Sequence, residues 1–329
     1  YVEAIETVAR ADASTAWCLG QGTGTSMAAA YLEPEAAREI FGPAKAVMAW
    51  GPPAGKVQAV AVKGGYRVTG KWQFASGSRH ATWLGAKCPI VESDGKPRLA
   101  KNGKPAEPRT MMFPKEQARM TDVWNVIGLK GTGSDQYEID DLFVPEHHAT
   151  LVDSPETRQA DGTLYRFQSV PVHGYAFCGI ALGIARSVLD SFLELAGVKQ
   201  PKHWNNKMRE SPLTQYQVAV AEAELRSARM FLFQSLRDTW EYAERSGEVP
   251  MEQRVNLRLA VTHGIQRAKG VVDYAYNAAG ATAIFAANPF ERRFRDMHTV
   301  AQQGQAASIN LEAVGQIILG LELNTSRPI

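Results

Sequence analysis

The sequence is poor in cysteine, in net charge and in long apolar runs, and each shortage removes a class of protein. Its three cysteines, Cys18, Cys88 and Cys178, are odd in number and far apart. They form no CxxC pair and no disulfide framework, which suits a reducing cytoplasm. Net charge is only +2, from 36 Lys and Arg against 34 Asp and Glu, and the densest basic cluster is Arg292-Arg293-Phe294-Arg295. Nucleic-acid binding needs a concentrated basic face, so no nucleic-acid partner is expected. No run of about 18 or more apolar residues appears, so no membrane span is expected either. An initiating Met and a signal-peptide pattern are missing as well. Tyr1-Val2-Glu3-Ala4-Ile5-Glu6 reads as the middle of an amphipathic helix, so the chain is expected to start inside a truncated helical domain.

What is present belongs to a globular protein: 329 residues, 45% hydrophobic and 21% charged, enough for two or three structural units of roughly 100–200 residues. The hydrophobic period changes twice along the chain. Residues 1–45 read as helices, with Val2, Ile5, Val8 and Ala9 at helical spacing and cap chemistry at Asp12 and Ser14. The next run, Trp17 to Met27, is rich in small residues, which suits either close helix packing or a thin wall beside a ligand. Pro34 opens a short third helix that Gly42-Pro43 ends. Residues 46–150 alternate at period two: Val57 to Val62, a Lys63-Gly64-Gly65 turn, then Tyr66 to Phe74 make a hairpin, and Thr110 to Phe113 and Tyr137 to Pro145 continue the strands. This stretch is expected to be an antiparallel β-domain. From 151 to 329 the chain returns to helices, over roughly 171–197, 211–246, 251–286 and 297–322, and helices this long with short connections argue for an up-and-down four-helix bundle.

Five local motifs fall in an order that adds meaning. Trp50-Gly51-Pro52-Pro53-Ala54-Gly55 forms a turn ahead of the hairpin, and Gly70-Lys71-Trp72-Gln73-Phe74-Ala75-Ser76-Gly77 closes its second strand. Gly128-Leu129-Lys130-Gly131-Thr132-Gly133-Ser134 precedes the strand ending in Val144-Pro145. Ala279-Gly280-Ala281 and Asn288-Pro289-Phe290-Glu291-Arg292 lead into Arg295-Asp296. With the order helical part, β-domain, bundle, these motifs resemble the acyl-CoA dehydrogenase superfamily. The resemblance implies an α+β fold and a flavin held against the strand Trp72 to Gly77. The residues fit such a ligand: Trp50, Trp72 and Phe74 offer flat walls, while Gly51, Ala75, Ser76 and Gly77 offer close backbone and a hydroxyl. Trp72 and Phe74 also share a strand face as i and i+2, so they equally suit a core. In the superfamily the flavin is shared between subunits of a homotetramer, or dimer of dimers, and its phosphates meet a basic linker residue and a glycine pair. The matching positions are Arg209 and Gly280.

Acyl-CoA dehydrogenases need a carboxylate base, usually a few residues past the arginine-aspartate step or on the first bundle helix. Here those positions fall at Gly304 and His173, and neither stretch holds a Glu or Asp. Loss of a general base costs roughly 10²–10⁴-fold, so thioester dehydrogenation is not expected unless Glu312 or His298 substitutes; a flavin-binding scaffold with a decayed site fits the same absence. The chain more closely resembles the oxygenase components of two-component flavin monooxygenases, of the 4-hydroxyphenylacetate hydroxylase and dibenzothiophene monooxygenase type. These take reduced FMN or FAD from a separate reductase and hydroxylate a small aromatic or heterocyclic substrate. The resemblance implies that Ser76 hydrogen-bonds near the reactive ring nitrogen. Many members carry histidines on the early helix and after the arginine-aspartate step, but here none lies between Trp17 and Tyr31, and Gln302-Gln303 stand after Asp296. His298, His173 and His80 are the remaining titratable candidates. Adjacent His147-His148 at a strand end are expected to point to opposite faces with no third ligand nearby, so no metal site is expected.

Overall fold

The computed structural model describes residues 1–322; residues 323–329 lie outside it. It divides into two compact units: one from Tyr1–Gly20, Val126–Gly131 and the chain from Pro171 onward, the other from Gln21–Asn125 and Thr132–Val170.

The first unit is helical. Helix α1 (Val2–Ala11) buries Val2, Ile5 and Ala9 on one stripe, and α2 (Ala13–Ser26) comes after Asp12, whose carboxylate accepts from the Thr15 N–H at 2.8 Å. The long helices are α4 (Ser169–Val198), α5 (Pro212–Ser246) and α6 (Met251–Ala279). Helix α4 is long and apolar enough to cross a membrane by composition alone, yet most of its apolar window is buried inside the protein. It is the core helix of its unit. Small residues let its neighbours close in: a Cβ on Gly264 of α6 would lie 2.5 Å from the Cys178 sulfur, and one on Gly183 would lie 2.4 Å from the Glu6 carbonyl.

The expected fourth helix, 297–322, is two helices. Helix α7 (Phe290–Val300) stops, a 3-10 turn covers Gly304–Ala306, and α8 (Ile309–Ile318) restarts the helix. The reason is local. Buried Asn310 donates from Nδ2 to the Gly304 and Gln305 carbonyls at 2.8 and 3.0 Å and accepts from Arg258 at 3.0 Å. An amide side chain thus satisfies carbonyls that a continuous helix would have used internally. Helix α6 likewise ends earlier than the expected 286, at Gly280, whose backbone (φ 59°, ψ −145°) only glycine adopts readily.

The second unit holds two sheets. One has strand order β1 (Met48–Trp50), β4 (Trp83–Cys88), β6 (Arg109–Pro114), β9 (Ala149–Thr150). The other runs β5 (Ile90–Val91), β2 (Gln58–Val62), β3 (Gly65–Ala75), β8 (Asp135–Pro145), β7 (Arg119–Thr121). Pairing is mainly antiparallel, as expected, but β1 with β4 and β2 with β5 are parallel. Ala59, Val68, Trp72, Leu84, Met111, Phe113 and Tyr137 fill one cluster, and Tyr137 donates from its hydroxyl to the Gly85 carbonyl, tying one sheet to the other. Helix α3 (Pro34–Phe41) packs Ala36 and Ile40 into a second cluster with Leu32, Met48 and Met112.

Candidate functional site

Strand β3 shifts register against β8 once between Val68 and Gly70 and again after Trp72, which pairs with Tyr137; the next paired residue is Ala75, opposite Asp135, so two residues stand against one. This is a β-bulge, and Phe74 takes φ 58° within it. The bulge turns the end of the strand over. Trp72 is fully buried, stacked on Tyr137 at 5.4 Å and 13°. Phe74, two positions on, is 53% exposed and meets Trp124 edge-on at 6.0 Å. The expectation that both rings form a ligand wall is therefore corrected: Trp72 is a core residue with no free face, and only Phe74 is presented. The indole Nε1 of Trp72 is nonetheless buried without a hydrogen-bond partner among the described residues, a cost that a bound polar group or water would remove.

The turn ahead of the hairpin braces the bulge from outside. Gln73 donates its N–H to the Pro52 carbonyl at 3.0 Å, and Ala54 to Lys71 at 2.8 Å. A Cβ on Gly51 would lie 1.9 Å from the Gln73 carbonyl oxygen, so glycine is required there by the strand itself. Trp50 is half-buried on β1 opposite Gly85.

Beyond Ala75, which is fully buried, the chain turns through Gly77 (φ 79°), whose N–H donates to the Thr132 carbonyl at 2.9 Å. Three buried hydroxyls meet there: Ser76 Oγ lies 2.6 Å from Ser134 Oγ, which lies 2.7 Å from Thr132 Oγ1. Either partner can donate in each contact, so the chain of hydroxyls can reverse its direction and pass a proton along it. Arg79 fixes the turn with a fork onto Asp135 at 2.8 and 3.1 Å and a further contact to Asp122 at 2.9 Å. Exposed His80 closes the turn through its backbone N–H, to the Gly77 carbonyl at 3.1 Å. An exposed aromatic ring beside a polar, glycine-lined edge matches what a flavin presents, an apolar face with a hydrogen-bonding rim. The residues fit the group.

The remaining expected site residues lie in the helical unit. His173 on α4 is buried beside Phe177, which stacks on Trp17 at 4.2 Å. Burial pulls its pKa down to about 4, so it stays neutral at physiological pH and is corrected as a near-neutral titrating group. His298 on α7 holds Asp273 through Nε2 at 2.8 Å, and the other Asp273 oxygen takes Lys269 at 2.7 Å. Its ring lies 4.2 Å from that of Phe294, itself stacked on Tyr276. Arg209 is exposed on a 3-10 turn, Met208–Glu210. Lys199 donates to the Ala279 carbonyl at 2.6 Å and Thr282 Oγ1 at 2.9 Å, closing the helix end beside Gly280. Gly304, where a dehydrogenase base would fall, is exposed in the break between α7 and α8, and Glu312 is exposed in the first turn of α8. Buried Asp296 is already committed: it accepts the Leu129 N–H at 2.6 Å.

Residues 175–306 match the family described as acyl-CoA dehydrogenase, C-terminal domain. An indole-3-acetate monooxygenase from Pseudomonas putida is 30% identical over 97% of this chain and 79% of its own length. The chain belongs to the flavin-dependent monooxygenases built on the acyl-CoA dehydrogenase fold. The oxygenase component of an FADH2-dependent resorcinol hydroxylase from Rhizobium sp. is 29% identical over 98% of this chain and 80% of its own length. Among solved structures, a 3-HSA hydroxylase from Rhodococcus sp. superposes with a TM-score of 0.86 at 25% identity, covering 99% of this chain and 83% of that one.

For a flavin monooxygenase, several groups at the strand end carry no motif of their own. Thr132 and Ser134 lie inside the glycine signature, but nothing in sequence spacing joins them to Ser76. Trp124 lies in an irregular segment with no period to mark it, and Arg79–Asp135 is a pairing across a sheet. The paired histidines also differ from expectation. His147 and His148 lie on a 3-10 turn (Glu146–His148), not a strand, so their rings converge to 4.4 Å, and Glu39 of α3 reaches His148 at 3.1 Å.

Proposed function

We propose that this chain is the oxygenase component of a two-component system, hydroxylating a small aromatic or heterocyclic substrate with reduced FMN or FAD delivered by a separate reductase. The observation that carries the reading is end-to-end similarity to named monooxygenases, over 97% and 98% of the chain, in a protein with no carboxylate at either usual dehydrogenase position. A bound reduced flavin supplies the electrons with which one oxygen atom of O2 enters the substrate and the other leaves as water. The chain's own residues do the rest. Phe74 offers a ring surface braced by Trp124, and the Ser76–Ser134–Thr132 hydroxyls hold a proton at the polar rim. The turn fixed by Arg79 keeps that rim in place. Arg209 and Gly280 remain the positions proposed to meet the flavin phosphates. The indolic and phenolic names of the relatives make a planar aromatic the first substrate class to try.

In this reading residues 46–150 carry the flavin and substrate face, residues 1–45 complete the helical part, and residues 151–329 serve oligomerisation. Exposed Leu213, Tyr216, Val220 and Met230 on α5 support a homotetramer or dimer of dimers. Three cysteines, few and widely spaced, support a reducing, cytoplasmic setting.

The test supplies chemically reduced FMN or FADH2 with 18O2 and a panel of indolic and phenolic acids. The expected outcome is a hydroxylated product carrying one labelled oxygen. Prompt flavin reoxidation without product, together with anaerobic bleaching of bound oxidised flavin by an acyl-CoA, would instead identify a dehydrogenase with an unusual base.

A further inference from the structure

Glu39, His147 and His148 form a cluster apart from the residues proposed for the flavin site. Their ligating atoms all lie within 4.8 Å of one another. We propose that these three side chains bind a divalent cation of the zinc class, clamping α3 to the corner between β8 and β9.

The geometry comes from the turn. On a strand, consecutive side chains diverge, but the 3-10 turn Glu146–His148 brings both imidazoles to one side, with ring centroids 4.4 Å apart at 69°. The scaffold beneath is anchored. Glu146 donates its N–H to the Gly64 carbonyl at 3.0 Å, and its carboxylate accepts from the Tyr66 hydroxyl at 3.0 Å and Arg109 at 2.9 Å. Glu146 is thereby engaged elsewhere and leaves Glu39 as the carboxylate of the set. Glu39 rides on α3 at the edge of its buried stripe, Ala36 and Ile40, which is locked in a core cluster. His148 is buried with Trp83 edge-on at 5.1 Å, which limits its ring orientation.

A tetrahedral zinc ion with bonds near 2.0–2.1 Å spaces its ligand atoms roughly 3.3 Å apart. His148 Nε2 and Glu39 Oε2 already stand at 3.1 Å. The remaining closure falls to exposed His147 and half-exposed Glu39, which rotate without disturbing the core. Two imidazoles and one carboxylate favour Zn2+, Co2+ or Ni2+ over Mg2+ or Ca2+, which prefer all-oxygen sets. Three protein ligands leave a fourth position for water.

The experiment uses the full chain without an affinity tag, stripped with a chelator and titrated with ZnCl2 by calorimetry. The expected result is saturable binding of one zinc per chain with a rise in Tm, because a ligand of the folded state alone stabilises it. Cobalt substitution should give the visible d–d bands of a four- or five-coordinate ion. Glu39→Gln and His147→Ala alter exposed positions, should keep the metal-free Tm, and should each weaken zinc binding about tenfold or more. Absence of a one-to-one site, or equal zinc affinity in both variants and the native chain, overturns the proposal. Reoxidation of reduced flavin should be the same with and without zinc, which separates this result from the fate of the monooxygenase reading.

Discussion

Trp72 and Phe74 lie two residues apart on one strand, are both aromatic, and end in opposite environments. Trp72 is wholly enclosed against Tyr137; Phe74 is 53% exposed against the edge of Trp124. The strand before the bulge builds the core, and at the bulge Phe74 turns out of it toward the candidate site. A single extra residue in the ladder converts a packing position into a presenting one. The contrast predicts that substitutions on the two sides of the bulge separate stability from ligand binding.

The largest effect is expected at Trp72. Truncation to Ala leaves a cavity beside Tyr137 and should cost about 3–5 kcal/mol of stability, read as a large fall in denaturation midpoint. A loss under about 1 kcal/mol there would place Trp72 outside the class of buried large-to-small changes.

A comparable effect is expected from pH at His173. Burial depresses its pKa to about 4 from the ordinary 6.5, so the unfolded chain takes up the proton first as pH falls. Stability is full above pH ~6.5 and declines between ~6.5 and ~4, by about 3 kcal/mol in all. His173→Leu should flatten that acid limb in denaturation measured from pH 7 to 4; an unchanged limb contradicts the assignment. Smaller still is Asp296→Ala, which strips the acceptor from the buried Leu129 N–H and should cost about 1–3 kcal/mol. At the strand end, Ser76→Ala removes one link of the hydroxyl chain and should cost about 1 kcal/mol, with a change in the rate of flavin reoxidation larger than that loss implies.

Much of the molecule is legible in its sequence and some is not, for identifiable reasons. Element types come from period: α1, α3, the β2–β3 hairpin, α4 and α5 lie where the apolar spacing puts them. Family membership comes from motif order, which survives when single motifs are weak. Two of the motifs have internal reasons. Gly128 is glycine because a Cβ would lie 2.2 Å from the Arg295 carbonyl oxygen, and Asp296 holds the next N–H, so the glycine signature and the arginine-aspartate step lock each other. Period two puts Phe74 on the same face as Trp72 because it has no term for a bulge, and the bulge is set by pairing with β8, about sixty residues away in the chain. The break between α7 and α8 is hidden because Asn310, which stabilises it, caps the nearby Gly304 and Gln305 carbonyls only when it is buried and held by Arg258 from α6. The convergence of Glu39 with His147 and His148 joins elements distant in sequence, and no spacing rule marks it.

Phe74 decides whether the exposed end of β3 is the flavin face. Phe74→Ala should change stability by less than about 0.5 kcal/mol, as expected for an exposed side chain. Anaerobic titration with dithionite-reduced FMN and FADH2 should show the variant binding the preferred flavin about fivefold to tenfold more weakly than the native chain, the scale of one aromatic contact. Equal affinity for reduced flavin in the two proteins would place the flavin elsewhere.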